Sequence, residues 1–174
     1  MIKKRIVMFF LVVICFVLQN TVLKALALGT VSPNLLLIIT AAFGFVGGRK
    51  EGMYTGALCG LFVDIFYGQL FGYYTLLYTM IGYCNGFFHA VFYDSDIKQP
   101  MFLIAFSDLS YGLIQYVIQF LLRGKFNFGF YMTNIIIPEV LYTIVLILVF
   151  YPGLLKIYQK LDQLDMTGSV DEFV

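Results

Sequence analysis

The stretch Gly56-Ala-Leu-Cys-Gly60-Leu-Phe-Val-Asp64-Ile-Phe-Tyr-Gly68-Gln-Leu-Phe-Gly72 decides how this chain folds. It belongs to a longer column in which glycine recurs every fourth residue: Gly44, Gly48, Gly52, Gly56, Gly60, Gly68 and Gly72. The one missing member, position 64, is an aspartate. The residues between are almost all apolar. Glycine at this spacing strips side chains from one ridge of a helix, so that another backbone can come close. A carboxylate within such a ridge is costly in hydrocarbon and marks a functional-site candidate. The stretch therefore reads as a transmembrane packing surface with one acid built into it.

The column is not all one ridge. Four residues turn an α-helix through about 400°, so the ridge drifts by about 40° at each step. The column also crosses the charged turn Gly47-Gly-Arg-Lys-Glu-Gly52, which assigns Gly44 and Gly48 to a different helix. Gly52, Gly56, Gly60, Asp64 and Gly68 then share one slanting stripe, of the kind that suits right-handed helix crossings. Two uses stay open at this level: packing inside the chain, or docking another protein's helix.

The rest of the sequence agrees with a membrane reading. Of 174 residues, 61% are hydrophobic and only 12% charged, and the mean hydropathy is +0.90. No soluble domain of this size has that composition, and a polytopic all-α membrane protein is expected. A net charge of +1 gives no case for nucleic-acid binding. Cys15, Cys59 and Cys84 lie in apolar segments without metal-like spacing and read as small buried hydrophobes. The N-terminal Met1-Ile-Lys-Lys-Arg and the Ala25-Leu-Ala27 triplet resemble parts of a signal peptide. Lys24 and the length of the apolar run argue instead for a retained first helix.

With about 20 apolar residues needed per span, the sequence predicts about six transmembrane helices, near 6–23, 34–46, 53–71, 73–92, 101–122 and 134–155. They form one domain over 1–160, followed by a polar, disordered cytoplasmic tail over 161–174. The second segment is short. Pro33 suits its first turn. Orientation follows from the basic residues. With the N-terminus inside, Lys3, Lys4, Arg5, Arg49, Lys50, Lys98, Lys156 and Lys160 face the cytoplasm, against Lys24, Arg123 and Lys125 outside. That bias puts both termini in the cytoplasm. Tyr73, Tyr74, Tyr93, Tyr131 and Tyr151 lie near span ends, as an interfacial belt requires.

Three acids fall inside the spans: Asp64, Asp108 and Glu139. No lysine or arginine is available there to pair with them. A neutral, hydrogen-bonding carboxyl is the expected form of Asp64, and Asp64, Asp108, Asn134 and Glu139 could make a polar pocket. The alternative for each is a helix-to-helix hydrogen bond that fixes packing. His89, at the inner end of the fourth span, reads as a snorkelling side chain. No nucleophile elbow, zinc-protease motif, phosphate loop or cysteine–histidine cluster occurs, so no enzyme, metal or cofactor is expected.

The run from Gly56 to Gly72, with Asp64 at its centre, resembles the central motif of the MreD family of rod shape-determining membrane proteins. Pro33-Asn34-Leu-Leu-Leu-Ile38 resembles that family's second-helix opening. Asn134 and Pro138 sit where the family often has an Asn and a Pro entering the last helix. The resemblance implies a non-enzymatic scaffold of the bacterial elongation machinery (the elongasome) in the cytoplasmic membrane. Its partner would be MreC, and through it the peptidoglycan synthase pair of RodA and a class B penicillin-binding protein, with MreB on the cytoplasmic side. Gly52, Gly56, Gly60, Asp64, Gly68, Gly72, Pro33 and Asn34 would then serve partner binding or helix packing. The helix plan is also similar to the S-components of energy-coupling-factor vitamin transporters, which keeps a small-molecule-binding or transport role as the alternative.

Overall fold

In the computed structural model of the protein, residues 2–23, 33–68, 70–90, 98–118 and 128–170 are described. These residues are almost wholly helical, with no strand among them. Helix α1 (Ile2–Leu18) ends in a π-helical turn, Gln19–Leu23. Then come α2 (Leu35–Gly47), α3 (Arg49–Tyr67), α4 (Tyr73–Phe87, with a 3₁₀ turn Phe88–Ala90) and α5 (Lys98–Tyr116). The last segment opens as α6 (Phe128–Tyr131), passes through a π-helical stretch, Met132–Ile136, and continues as α7 (Ile137–Val170). Helix α7 thus covers most of the stretch that the sequence reads as a tail. Two segments, Lys4–Leu23 and Gly129–Lys160, are long and apolar enough to cross a membrane.

The short second segment is the centre of the molecule. Every residue from Leu35 to Phe45 is buried, and α2 touches α1, α3, α4, α5 and α7. A helix that is apolar all round must be buried all round, and this one is. Its 13 residues span only about 20 Å, less than the hydrocarbon thickness of about 30 Å. Its end groups therefore need partners within the protein. Asn34 caps it, accepting from the Leu37 amide at 3.2 Å. Gln19, from the π turn after α1, accepts from the Leu36 amide at 3.1 Å. Pro33 stands just before this cap rather than in the first turn, because Asn34 takes the N-cap place.

Helices α2, α3 and α4 form two successive antiparallel hairpins. A single residue, Gly48, separates α2 from α3, and its φ of +81° is a left-handed conformation that favours glycine. At the same end of the molecule the side chain of Lys4 ties three helices together. It pairs with Glu51 of α3 at 2.5 Å and donates to the Tyr158 hydroxyl of α7 at 3.0 Å. His89 also lies here. Its Nδ1–H donates to the Phe45 carbonyl at 2.8 Å, so it anchors the end of α2 rather than reaching for the interface.

Candidate functional site

The glycine ridge is consumed inside the chain. A methyl group on Gly60 would strike the backbone of Tyr74 and Thr75, one on Gly56 the carbonyl of Tyr78, and one on Gly52 the carbonyl of Gly82. Each step of four residues along α3 meets a step of about four along α4, running the other way. The partner face is small as well. A Cβ on Gly82 would strike the Gly52 carbonyl, and one on Gly86 would sit 2.5 Å from the Arg49 backbone. Gly44 of α2 joins at the crossing, where its Cβ would lie 2.6 Å from the Gly82 carbonyl. Three helices thus meet at backbone distance around Gly44, Gly52 and Gly82. Sequence reasoning did not single out Gly82 and Gly86, although their four-residue spacing on the next helix was the available signal.

Gly68 and Gly72 do not belong to the ridge. Helix α3 ends at Tyr67, with Gly68 as its C-cap, and Gly72 is the left-handed N-cap of α4 with φ +94°. No atom lies within 4 Å of a Cβ placed on Gly72. Its glycine is required by the turn and not by a close approach.

This register explains Asp64. Following α3 past Gly60, the next residue of the stripe faces the position where α4 has not yet begun. What stands there is the N-terminus of α4, with amide hydrogens that have no partner in their own helix. Asp64 supplies the acceptors. Its Oδ1 accepts from the Tyr74 amide at 3.0 Å, and its Oδ2 from the Thr75 amide at 2.8 Å and the Thr75 hydroxyl at 2.5 Å. The residue is 4% exposed. Three accepted bonds are the pattern of an acceptor-only carboxylate. The positive end of the α4 dipole favours the same form. The expected neutral carboxyl that both donates and accepts is therefore not the arrangement found. Asp64 is an N-cap delivered from a neighbouring helix.

The four residues of the expected polar pocket fall into three places. Asp64 is bound to the start of α4. Asn134 is exposed and donates back to the Phe130 carbonyl of its own segment at 2.9 Å. Asp108 and Glu139 alone come together. A Cβ on Gly112 of α5 would sit 3.3 Å from Ile136, and Asp108, one turn before Gly112, stands within electrostatic reach of Glu139 on α7. Helices α5 and α7 are thus antiparallel with the two acids opposed. Nearby, Asn34 and Tyr78 share hydrogen bonds of 2.6 and 2.9 Å, and Tyr78 packs edge-on against Tyr111, with ring centroids 5.7 Å apart. The interior between α2, α4, α5 and α7 is therefore polar at one level. Among the described residues, no group of three or more His, Cys, Asp or Glu could hold a metal.

Large apolar side chains remain on the outside. Ile6, Phe10 and Ile14 line one exposed face of α1, and Leu141, Val145 and Leu148 one face of α7. A water-facing surface of that kind would be aggregation-prone, whereas lipid or a partner helix accommodates it.

Buried helix ends capped from neighbouring helices, backbones in direct contact and an apolar exterior define the class: this is an α-helical membrane protein built for close packing. The particular family is equally plain. The chain belongs to the MreD family, described as rod shape-determining protein MreD, and the family's model matches residues 2–161. No curated protein and no solved structure matches the chain.

Proposed function

We propose that the protein is a non-enzymatic subunit of the bacterial cell-elongation machinery, seated in the cytoplasmic membrane with both termini inside. It binds MreC and, through MreC, supports the synthase pair of RodA and a class B penicillin-binding protein, with MreB on the cytoplasmic side. The observation that carries this reading is the family match over residues 2–161. The geometry supports a scaffold in a particular way. The glycine stripe and Asp64 hold the hairpin α3–α4 together, which leaves the long apolar faces of α1 and α7 to meet a partner's membrane helix. The test is co-purification of a tagged chain with an MreC-like protein, together with rescue of rod shape in a strain that lacks the subunit. A chain that folds, inserts and captures no such partner would refute the reading.

Six spans with cytoplasmic termini are part of the same proposal, supported by the eight-to-three distribution of basic residues across the loops. Cysteines placed at Lys125 and Gly29 should label from outside, and those at Lys50 and Ser95 only after permeabilisation. External labelling at Lys50 would overturn the orientation. A transport role of the S-component kind is the second reading, and the opposed Asp108 and Glu139 are the observation that favours it. Retention of a small molecule through purification, with no effect on cell shape, would support it over the first.

A further inference from the structure

Among the described residues, Asp108 is a buried carboxyl with both oxygens unmatched. It is 2% exposed. Thr143, 0% exposed, lies one turn beyond Glu139 on the same face of α7. Its hydroxyl lies close enough to the Asp108 carboxyl to act on it as a donor, but without the geometry of a hydrogen bond to it or to another described group. Two buried side chains from two helices thus bring their oxygens together without a well-formed hydrogen bond, with the Glu139 carboxyl a turn away. Native interiors rarely leave such groups unmatched. Buried charge is normally paired or bound to a metal ion.

No protein cation is at hand. The sequence carries no lysine, arginine or histidine between Pro100 and Leu122, or between Asn134 and Leu155. A lysine at either flank would have to cross at least ten residues, about 15 Å of helix. The unmet groups also share a character. Both Asp108 oxygens are acceptors, and the Thr143 hydroxyl oxygen is a third. All are hard oxygen donors, which suit a hard cation. The set is too small for calcium, which takes six to eight oxygens. It suits a monovalent ion completed by backbone carbonyls or a retained water.

We propose that Asp108 and Thr143, with Glu139 beside them, form an intramembrane site for a dehydrated alkali cation, for which sodium is the probe. The ion would bridge α5 to α7 and neutralise the acidic pair, which has no basic residue on either of its own two spans. The proposal does not depend on partner binding, and its test reads the isolated subunit.

The full-length chain, purified in detergent micelles, would be unfolded thermally in sodium chloride and in choline chloride at equal concentration. Cys84 is exposed rather than buried, so it is replaced by serine throughout, and a thiol-reactive dye then reports exposure of the buried Cys15 and Cys59. A sodium concentration ten times the dissociation constant should raise the midpoint by about 3–6 °C, saturably. Asp108→Asn should abolish the sodium-dependent rise, and Thr143→Val should weaken it. Equal midpoints in the two salts would overturn the proposal, as would an undiminished sodium effect in Asp108→Asn. Should that variant fail to fold, saturable binding of radioactive sodium to the unaltered protein decides, and its absence refutes the site.

Discussion

Replacing Asp64 with asparagine separates two physical accounts of the same residue. A neutral carboxyl that donates one bond and accepts another is closely imitated by asparagine, which would be nearly silent. The structure has both carboxylate oxygens accepting, one from Tyr74 and the other twice from Thr75. Asparagine offers one oxygen. With that oxygen in the Oδ2 place, both Thr75 bonds survive, but the side-chain NH₂ is turned against the Tyr74 amide. A buried donor left unmatched costs about 1–3 kcal/mol. Loss of the negative charge at the start of α4 removes a further 0.3–1 kcal/mol or about that. The expected cost of Asp64→Asn is about 2 kcal/mol. At about 2–4 °C per kcal/mol for a chain of this length, the thermal midpoint in micelles should fall by about 4–8 °C. Asp64→Leu leaves both amides and the Thr75 hydroxyl unmatched and should cost about 3–5 kcal/mol, enough to lose most folded protein. The assay is thermal unfolding of the purified chain, read with the dye described above. A wild-type midpoint for Asp64→Asn beside a large loss for Asp64→Leu would refute the capping account and restore the neutral carboxyl.

Gly60→Leu should abolish monodisperse protein on size exclusion, because the side chain would have to displace the backbone at Tyr74 and Thr75. Its neighbour Leu61 points outward, and Leu61→Ala should leave yield and elution unchanged. Lys4→Met should destabilise by about 1–3 kcal/mol in denaturant titrations, since Glu51 and Tyr158 lose their shared partner. Exchanging the charges in Lys4→Glu with Glu51→Lys should recover part of that loss, and no recovery would mean that α1, α3 and α7 are joined by packing alone.

Much of this fold was legible in the residues. Composition alone placed the chain in a membrane, because 61% hydrophobic residues exceed what a soluble core of this size can bury. The stretch from Gly56 to Gly72 announced a close backbone contact, and the Pro33-Asn34 pair announced a helix start. These are local signals: a glycine repeat or a helix-opening proline carries its meaning within a few turns. The sequence did not say which backbone the ridge would meet. Gly82, Gly86 and Gly44 are its partners only because two tight hairpins fold α2 and α4 against α3 and against each other. Nor could it say why position 64 is an acid. That follows from register: the stripe on α3 outlasts α4 by one step, and a helix end needs an acceptor where a helix body needs empty space. The same holds for the interior. One glance at spacing grouped Asp64, Asp108, Asn134 and Glu139 as equals, whereas the packing of α5 on α7 chose Asp108 and Glu139 alone. Residues far apart in the chain meet by topology, and topology belongs to the whole fold and not to any window of its sequence.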